Sequence, residues 1–291
     1  MTFDRRAELG EFLRSRRARL RPEEFGLTSY GRQRRVPGLR REELAQLAGV
    51  SVDHYVRLEQ GRSLQFSSEV LDAVAKALRL DPAEREHLHR LARPAASSEE
   101  PADSPPLRPG IRSLLSAISG APAYVVDRTT EVRAWNRLAA AFITDFGELP
   151  AAERNMARLV FLDDGVRDLY VDWWARARDV VAFLRLDVAR PPAPPAAQAL
   201  IEELSAASPE FRQIWAEHDI KAPEHGSHRY RHPLVGELEL TYETLRLPGH
   251  PDLALVVHTA EEGSPAQDAL RILLLDGDRS DTSGENHRSR A

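Results

Sequence analysis

Apolar residues recur every three or four positions through the first ninety residues of the chain, and charged or polar residues fill the positions between them. This spacing places the apolar side chains on one face of each helix, so it predicts a series of amphipathic helices. Five such stripes can be followed. Their members are Leu9, Phe12, Leu13 and Leu20; Leu44, Ala45, Leu47 and Ala48; Tyr55 and Leu58; Leu71, Val74 and Leu78; and Leu88 and Leu91.

Glycine and capping residues mark where these helices begin and end. Gly49 supplies a tight turn between the second and third helices, Ser51 is a good N-cap for the third, and Gly61 is placed to end it. Asp-Pro-Ala-Glu at 81–84 is a capping box with proline at the first helical position, and it opens the fifth helix. The second and third helices together predict a helix-turn-helix unit.

The outward face of the third helix carries the residues that would contact a partner. In such units the start of the second helix enters the major groove, so DNA is the expected partner. The fork of Arg57 can take both acceptors on a guanine edge. Asp53 has two interpretations that stay open: it accepts from a cytosine amino group, or it only favours the helix dipole from the first turn. The predicted base-reading residues are Ser51, Val52, Asp53 and Arg57.

This segment resembles the Xre/Cro family of repressors, whose DNA-binding domain has five helices. The resemblance implies that Arg41, at the start of the second helix, contacts a phosphate or a base. It also implies that Arg62 and Ser63, after the third helix, contact the DNA backbone. An arginine-rich loop at 32–35 precedes these helices and either is solvated or lies along phosphates.

Composition divides the chain into parts. Residues 1–93 contain 19 basic and 14 acidic residues, a balance of +5, whereas the remainder contains 21 and 31, a balance of −10. A positive excess supplies attraction to phosphates, although many domains that do not bind DNA have a similar excess. Residues 94–109 hold five prolines among serines and acids and predict a linker, and the polar residues 276–291 predict a disordered tail. The DNA-binding domain therefore covers 1–93, and a second domain covers 110–275.

The second domain mixes two kinds of pattern. Strands near both of its ends, with helices between them, predict an α+β fold in which one antiparallel sheet is covered by helices. The predicted strands are 123–127, 131–135, 237–247 and 253–260, and the predicted helices are 137–145, 164–187 and 197–205.

Several runs in this domain resemble the MmyB-like ligand-binding domain, and the similarity extends over nearly all of 107–275. The runs are AWN at 134–136, ERN at 153–155, DW at 172–173, SPEF at 208–211 and RHPLVGEL at 231–238. The resemblance implies a PAS-like fold whose cavity accepts a small lipophilic molecule such as a fatty acid.

Large side chains of the sheet and of the covering helices would form the walls of such a cavity. The predicted wall residues, each of which has an ordinary core residue as its alternative interpretation, are Trp135, Phe142, Trp173, Val180, Leu184 and Trp215. Asn136 and Arg185 are candidates for anchoring a carboxylate head group. Arg185 has a second interpretation, in which it pairs with an acid at the surface.

The residues that enzymes need do not form a recognisable set. His218, His225, His228 and His232 have spacings that a zinc site can use, but glycine and proline interrupt the stretch and no acid stands at ligand spacing. The chain has no cysteine, and it lacks glycine-rich phosphate loops, nucleophile elbows and the HExxH motif. The sequence therefore predicts neither a metal, nor another cofactor, nor catalysis.

These patterns predict a one-component transcription regulator that binds operator DNA as a homodimer and senses a small lipophilic effector. Two alternatives stay open for the second domain: it only dimerises or recruits a protein partner, or it is an enzyme. The sequence has neither a signal-peptide core nor an apolar run of roughly 18 residues that could span a membrane. We therefore expect a cytoplasmic protein that does not bind membranes.

Overall fold

The computed structural model describes residues 4–27, 38–62, 66–92, 107–189, 195–220 and 224–288. Ser63, the arginine-rich loop at 32–35 and most of the predicted linker lie outside these residues. The described chain contains one all-helical region, followed by a region built on a sheet.

The first region consists of five α-helices, as the apolar stripes predict, and a short 3-10 turn follows the first of them. The caps are confirmed: the Ser51 hydroxyl accepts from the His54 amide at 3.1 Å, and Gly49 has a φ of 67°. Asp81 and Glu84 exchange hydrogen bonds at 2.8 and 3.1 Å, which completes the predicted capping box. The helices are α1 Arg5–Arg19, α2 Arg41–Ala48, α3 Val52–Glu59, α4 Ser68–Ala77 and α5 Pro82–Ala92.

Close packing of α1 on α3 depends on Gly10. A Cβ atom at this position would lie 2.5 Å from the Glu59 carbonyl oxygen, which is too near for any side chain. One predicted inward residue, Leu47, is 39% exposed. It lies roughly 200° around α2 from the buried Ala45, because successive residues are about 100° apart on a helix.

The second region contains an antiparallel sheet of five strands in the order β2-β1-β5-β4-β3, which confirms the predicted fold class of a sheet covered by helices. Helix α6 covers one face, where Ile111 and Leu115 pack against Val125 and Leu255. The larger core lies on the opposite face, between the sheet and the other helices. The strands are β1 Ala123–Asp127, β2 Val132–Trp135, β3 His225–His232, β4 Gly236–Leu247 and β5 His250–Thr259.

Within the described residues, eight α-helices accompany this sheet. Helices α6, α8, α12 and α13 are absent from the prediction, and the first three each offer too few turns for an apolar period to be recognised. The helices are α6 Pro109–Ala117, α7 Arg137–Phe142, α8 Met156–Leu162, α9 Asp164–Leu169, α10 Trp173–Val188, α11 Pro195–Ala207, α12 Pro209–Ala216 and α13 Pro265–Arg288.

The prediction of one continuous helix over 164–187 is wrong, and strand β3 was not predicted. The chain leaves the helical conformation at Tyr170, which forms a bridge with Tyr230, and the Val171 amide donates to the Arg229 carbonyl at 3.0 Å. This pairing with β3 divides the predicted helix into α9 and α10. Helix α13 also continues through 276–288, where the sequence predicts a disordered tail, because polar residues can still make the hydrogen bonds of a helix.

Candidate functional site

The start of α3 presents an exposed surface. Val52 is 44% exposed, and the side chains of Asp53 and Arg57 are 71% and 61% exposed. Arg57 Nη2 lies 2.9 Å from the Asp53 carboxylate, one helical turn away. Ser51 is also exposed, although its hydroxyl is occupied by the helix cap. The four predicted base-reading residues are therefore adjacent on one accessible end of a helix.

A buried carboxylate fixes this helix to its neighbours. Arg17 Nε and Nη2 donate to the two oxygens of Glu59 at 3.0 and 3.1 Å, and Arg17 Nη1 donates to the Leu39 carbonyl at 2.6 Å. Arg41 Nε adds a bond to Glu59 at 2.8 Å. Burial would raise the pKa of Glu59, but these hydrogen bonds lower it on balance, so Glu59 is charged. Arg41 is thereby held at the start of α2.

Two exposed residues, one in α3 and one at its C-cap, were missed by the sequence reasoning. His54 follows Asp53 on the accessible side, and Gln60 lies one turn beyond Arg57. The helical period from Asp53 through Arg57 to Gln60 is a signal that would have found Gln60. Arg62 is exposed just past the end of the helix.

The second region contains a cleft between α10 and the sheet, with a volume of about 430 Å³ including its mouth. Most of this volume is open space at the mouth, so the enclosed part of the cleft is far smaller than the roughly 300 to 1,000 Å³ of typical small-molecule pockets. One part of its lining is apolar and the other is polar. The apolar residues are Val126, Met156, Val180, Phe183 and Val256, and the polar residues are Tyr124, Thr130, Arg176, Asp179, Tyr242 and Thr244.

Charged residues define the polar part of the cleft. The Tyr242 hydroxyl donates to Asp179 Oδ2 at 2.9 Å, and His228 Nε2 lies 3.2 Å from the same oxygen. Arg176 hydrogen-bonds the Tyr124 hydroxyl, but its Nε atom has no hydrogen-bond partner among the residues that the structure describes. An arginine with a buried, unused donor beside empty space is suited to hold an anionic group.

The protonation states follow from burial. Burial would lower the pKa of Arg176, but the surrounding tyrosines and Asp179 raise it on balance, so its guanidinium is charged. Burial also raises the pKa of Tyr124 to about 12, so that hydroxyl stays protonated. Burial, together with the charge of Arg176, lowers the pKa of His258 to about 3, so His258 is neutral. The cleft therefore offers one fixed cation, the carboxylate of Asp179 and neutral hydrogen-bonding groups.

The predicted wall residues are dispersed. Val180 lines the cleft, whereas Trp173 is a core residue whose indole donates to the Val160 carbonyl at 2.7 Å. Phe142 packs edge-on against Tyr230. The others lie in or beside the core away from this lining; they are Trp135, Leu184 and Trp215. Sequence reasoning missed Arg176, which lies on the inward stripe three residues after Trp173; a charge at such a position was the available signal.

Neither predicted carboxylate anchor lines the cleft. The amide nitrogen of Asn136 donates to the Ile118 and Ala121 carbonyls at 2.6 and 2.7 Å, and its oxygen accepts two backbone amides while capping α7. These bonds occupy the whole amide. Arg185 is fully buried against the helical region and contacts Glu8 of α1. Its partner is therefore an acid, as the alternative interpretation has it, but a buried one.

The four histidines of the stretch from 218 to 232 lie in different surroundings. His228 and His232 point inward from β3, His225 is exposed at its start, and His218 lies beside Glu8. Within the described ranges, no group of three or more metal-binding side chains is arranged to hold an ion. Of the helices that the structure describes, none is long and apolar enough to cross a membrane.

An exposed helix-turn-helix surface, joined to a sheet region with a mixed polar and apolar cleft, defines the class of ligand-sensing DNA-binding regulators. Comparison with known families supports this class of protein. Residues 107–273, more than half of the chain, match the model of the MmyB-like transcription regulator ligand binding domain, and the chain belongs to this family. Residues 8–88 match a helix-turn-helix domain model. No curated protein matches the chain.

Proposed function

We propose that this protein is a one-component transcription regulator, of the Xre/Cro type in its DNA-binding region, that binds its operator as a homodimer and senses a fatty-acid-like effector. The observation that carries the DNA-binding part is the exposure of Val52, Asp53 and Arg57 together at the start of α3. Its family membership supports the sensing part. A cytoplasmic location stays a prediction from the sequence.

Arg57 is the residue that we assign to base recognition. Asp53 holds its guanidinium at 2.9 Å in the protein without DNA. This exposed pair has little stability of its own, so the guanidinium can leave it for a guanine edge at small cost. Arg41, which bonds Glu59 at the end of α3, and Arg62, which follows that end, are assigned to phosphates, with Ser63 as a further predicted backbone contact.

Fluorescence anisotropy on DNA from upstream of the gene, over a salt series, tests this assignment. Arg57→Ala should cost about 1 to 3 kcal/mol on the preferred site and little on random DNA of equal length. Arg41→Ala should weaken binding to the preferred site and to random DNA alike. Arg231→Ala is the matched control, because Arg231 has similar exposure and a similar ion pair, with Glu237, but lies in β3. Equal losses on both DNAs for Arg57→Ala would reassign Arg57 to phosphate contact.

The cleft beside α10 is the proposed effector site. Its apolar wall suits an alkyl chain, and the charged Arg176 with its unused Nε donor suits a carboxylate. Asp179 does not oppose this assignment, because its carboxylate already accepts a hydrogen bond from the Tyr242 hydroxyl. An amphiphilic carboxylate such as a fatty acid combines both requirements, and the cleft has to widen to admit its chain.

Calorimetric titration with laurate and with dodecanol tests the head-group assignment. The two ligands have the same chain, so a preference of at least about tenfold for laurate would reflect its charge. Arg176→Gln should abolish the preference. Arg178→Gln is the control on the same helix, because Arg178 pairs with Glu217 outside the cleft lining. Equal binding of both ligands by the wild type, or an unchanged preference in Arg176→Gln, would refute the assignment.

We propose a homodimer because one recognition helix covers few base pairs, and two helices about 34 Å apart read a two-fold site. Helix α13 carries candidate contacts: Ile272 and Leu275 are 55% and 63% exposed, one turn apart. Sedimentation should give a dimer that Ile272→Glu dissociates. If the dimer forms but laurate, dodecanol and other lipophiles do not bind, the alternative of a region that only dimerises or recruits a protein partner is favoured. Turnover of a substrate would instead favour the enzyme alternative.

A further inference from the structure

Helix α10 contacts both regions of the molecule. Its middle part lines the cleft through Arg176, Asp179 and Phe183, whereas its last turns belong to the core of the helical region through Leu186 and Ala189. The distance along the helix from Phe183 to Leu186 is one turn. A rigid helix that borders a ligand site at one part and a second domain at the other is a direct mechanical connection between them.

A buried ion pair holds this junction together. Arg185 is 0% exposed, and its Nη1 atom bonds the Glu8 carboxylate of α1. The same nitrogen lies 3.0 Å from His218 Nδ1, while Nη2 donates to the Trp215 carbonyl and the guanidinium stacks on the Trp215 ring at 4.1 Å. The Arg185 charge and hydrogen bonds from His218 lower the pKa of Glu8 to about 2, although burial alone would raise it.

Further polar contacts surround the pair. Arg16 of α1 donates to the His218 carbonyl at 2.7 Å, and Arg90 of α5 donates to the Leu186 carbonyl at 3.2 Å. At the rim, Arg19 lies 2.9 Å from Asp219. The docking face is therefore formed by α1 and α5, on the helical side, and by the end of α10 with residues 215–219, on the other.

Docking through this face leaves the DNA-reading surface accessible. On α1, Glu8 and Arg16 face the sheet region, whereas Arg17 faces the opposite side and binds Glu59 at the end of α3. The exposed start of α3 lies beyond that bond. The docked arrangement thus sets the orientation of the reading helix and does not cover it.

Charge makes the junction respond in discrete steps. A small separation of Glu8 from Arg185 would leave two charges buried without partners, which is strongly unfavourable. The pair is stable either in contact or after the regions have parted far enough for water to enter. A junction with two such arrangements can amplify a small shift of α10.

We propose that the Glu8–Arg185 junction is the coupling element through which occupancy of the cleft changes the affinity of the helix-turn-helix region for DNA. The inference rests on the proposed function, because it names the regulation of that same cleft. The effector acts on α10 at Arg176 and Phe183, and the other end of α10 repositions or releases α1.

The test measures DNA affinity by anisotropy with and without saturating laurate, in the wild type, in Glu8→Gln and in a control. The wild type should change its Kd by about fivefold or more on adding laurate, which is typical of coupled sites. Glu8→Gln should reduce the change to less than twofold, while its affinity for laurate stays near that of the wild type. Glu24→Gln should behave as the wild type, because Glu24 pairs with Arg79 at an exposed position outside the junction.

Coupling that persists undiminished in Glu8→Gln would overturn the inference, and so would a wild type that binds both laurate and DNA without mutual effect. If Glu8→Gln does not fold, Arg19→Ala serves instead. Arg19 is half exposed, so its loss does not endanger folding, and removal of its bond to Asp219 should lower the coupling by about twofold.

A hydrogen-exchange measurement separates this inference from the proposed function. A wild type that binds neither laurate nor DNA would contradict the proposed function, and the junction can still be examined without ligands. Glu8→Gln should then accelerate amide exchange in α1 and in the last turns of α10 together. Acceleration confined to α1 would show that α10 does not transmit the change, and would refute the junction as a coupling element.

Discussion

Both regions bury arginine among polar groups, but they do so differently. In the helical region, two arginines use the carboxylate of Glu59, and Arg17 adds a carbonyl at 2.6 Å. In the sheet region, Arg176 lies beside empty space with an unused Nε donor among the described residues. A fully bonded buried network stabilises a fold, whereas an incompletely bonded one beside a cleft has capacity for a ligand. Arg16 and Arg185 also have a buried Nε without a hydrogen bond among the described residues, so it is the empty space beside Arg176 that distinguishes it as a binding site.

The largest expected effect comes from breaking the bonded network. Glu59→Gln removes the charge that two arginines share and leaves Arg17 buried without its ion-pair partner. We expect the free energy of unfolding to fall by about 3 to 5 kcal/mol, measured by urea denaturation. Glu24→Gln, at an exposed pair, should change it by less than about 1 kcal/mol. A loss for Glu59→Gln no greater than for Glu24→Gln would show that the network is not structural.

Acid should destabilise both regions, because each buries a neutral histidine. Burial lowers the pKa of His87 in α5 to about 3, and that of His258 in β5 likewise, from an ordinary value near 6.5. The unfolded chain then binds more protons below pH 6.5, so stability is full above that pH and falls as the pH drops toward 3.

Between pH 6.5 and 5 the expected loss is about 2 kcal/mol per histidine, measured as unfolding free energy against pH. Glu8, with a pKa of about 2, adds a loss below its ordinary value of 4.5, because its stabilising charge disappears there. His258→Phe should reduce the slope above pH 5 and leave the contribution of His87. A slope that neither His87→Phe nor His258→Phe alters would contradict the assignment.

Removal of Arg176 should lower the free energy of unfolding much less than Glu59→Gln does. Arg176→Met removes a cation whose burial is costly and whose hydrogen bond is to the Tyr124 hydroxyl, while Asp179 keeps its hydrogen bond from Tyr242. We expect an unfolding free energy within about 1 kcal/mol of the wild type, together with loss of the laurate preference. A destabilisation as large as that of Glu59→Gln would mean that Arg176 is structural, and the contrast between the two regions would fail.

The smallest effect is expected at the surface of α3. Asp53→Asn breaks an exposed ion pair one turn apart, so stability should change by less than about 0.5 kcal/mol. The effect of Asp53→Asn on DNA affinity distinguishes the two interpretations of Asp53. Loss of preference at one cytosine would indicate base reading, whereas a uniform gain in affinity would indicate that Asp53 only holds Arg57 and favours the helix dipole.

The helical region was largely predictable because its signals are local. The Ser51 cap, the Gly49 turn and the box at 81–84 each act within four residues, and each is confirmed. Strand β3 was missed because its inward positions include His228 and His232, which conceal the alternation of buried and exposed residues.

The two candidate sites, the α3 surface and the cleft, differ in how far the sequence predicted them. The exposed residues of α3 follow from helix period and cap, whereas the cleft depends on which residues the sheet places opposite α10. The role of Arg185 was beyond local reasoning, because its partner Glu8 is 177 positions away. Pattern along the chain identifies which face of a helix is buried, but not what that face meets.

The contact between Arg185 and Glu8 joins two parts of one chain. The two docking faces are covalently connected, so each meets the other at an effective concentration that can reach roughly millimolar. The docked arrangement predominates when the separate faces would bind each other with a Kd below that concentration. A Kd only slightly below it is what allows a small ligand to shift the balance.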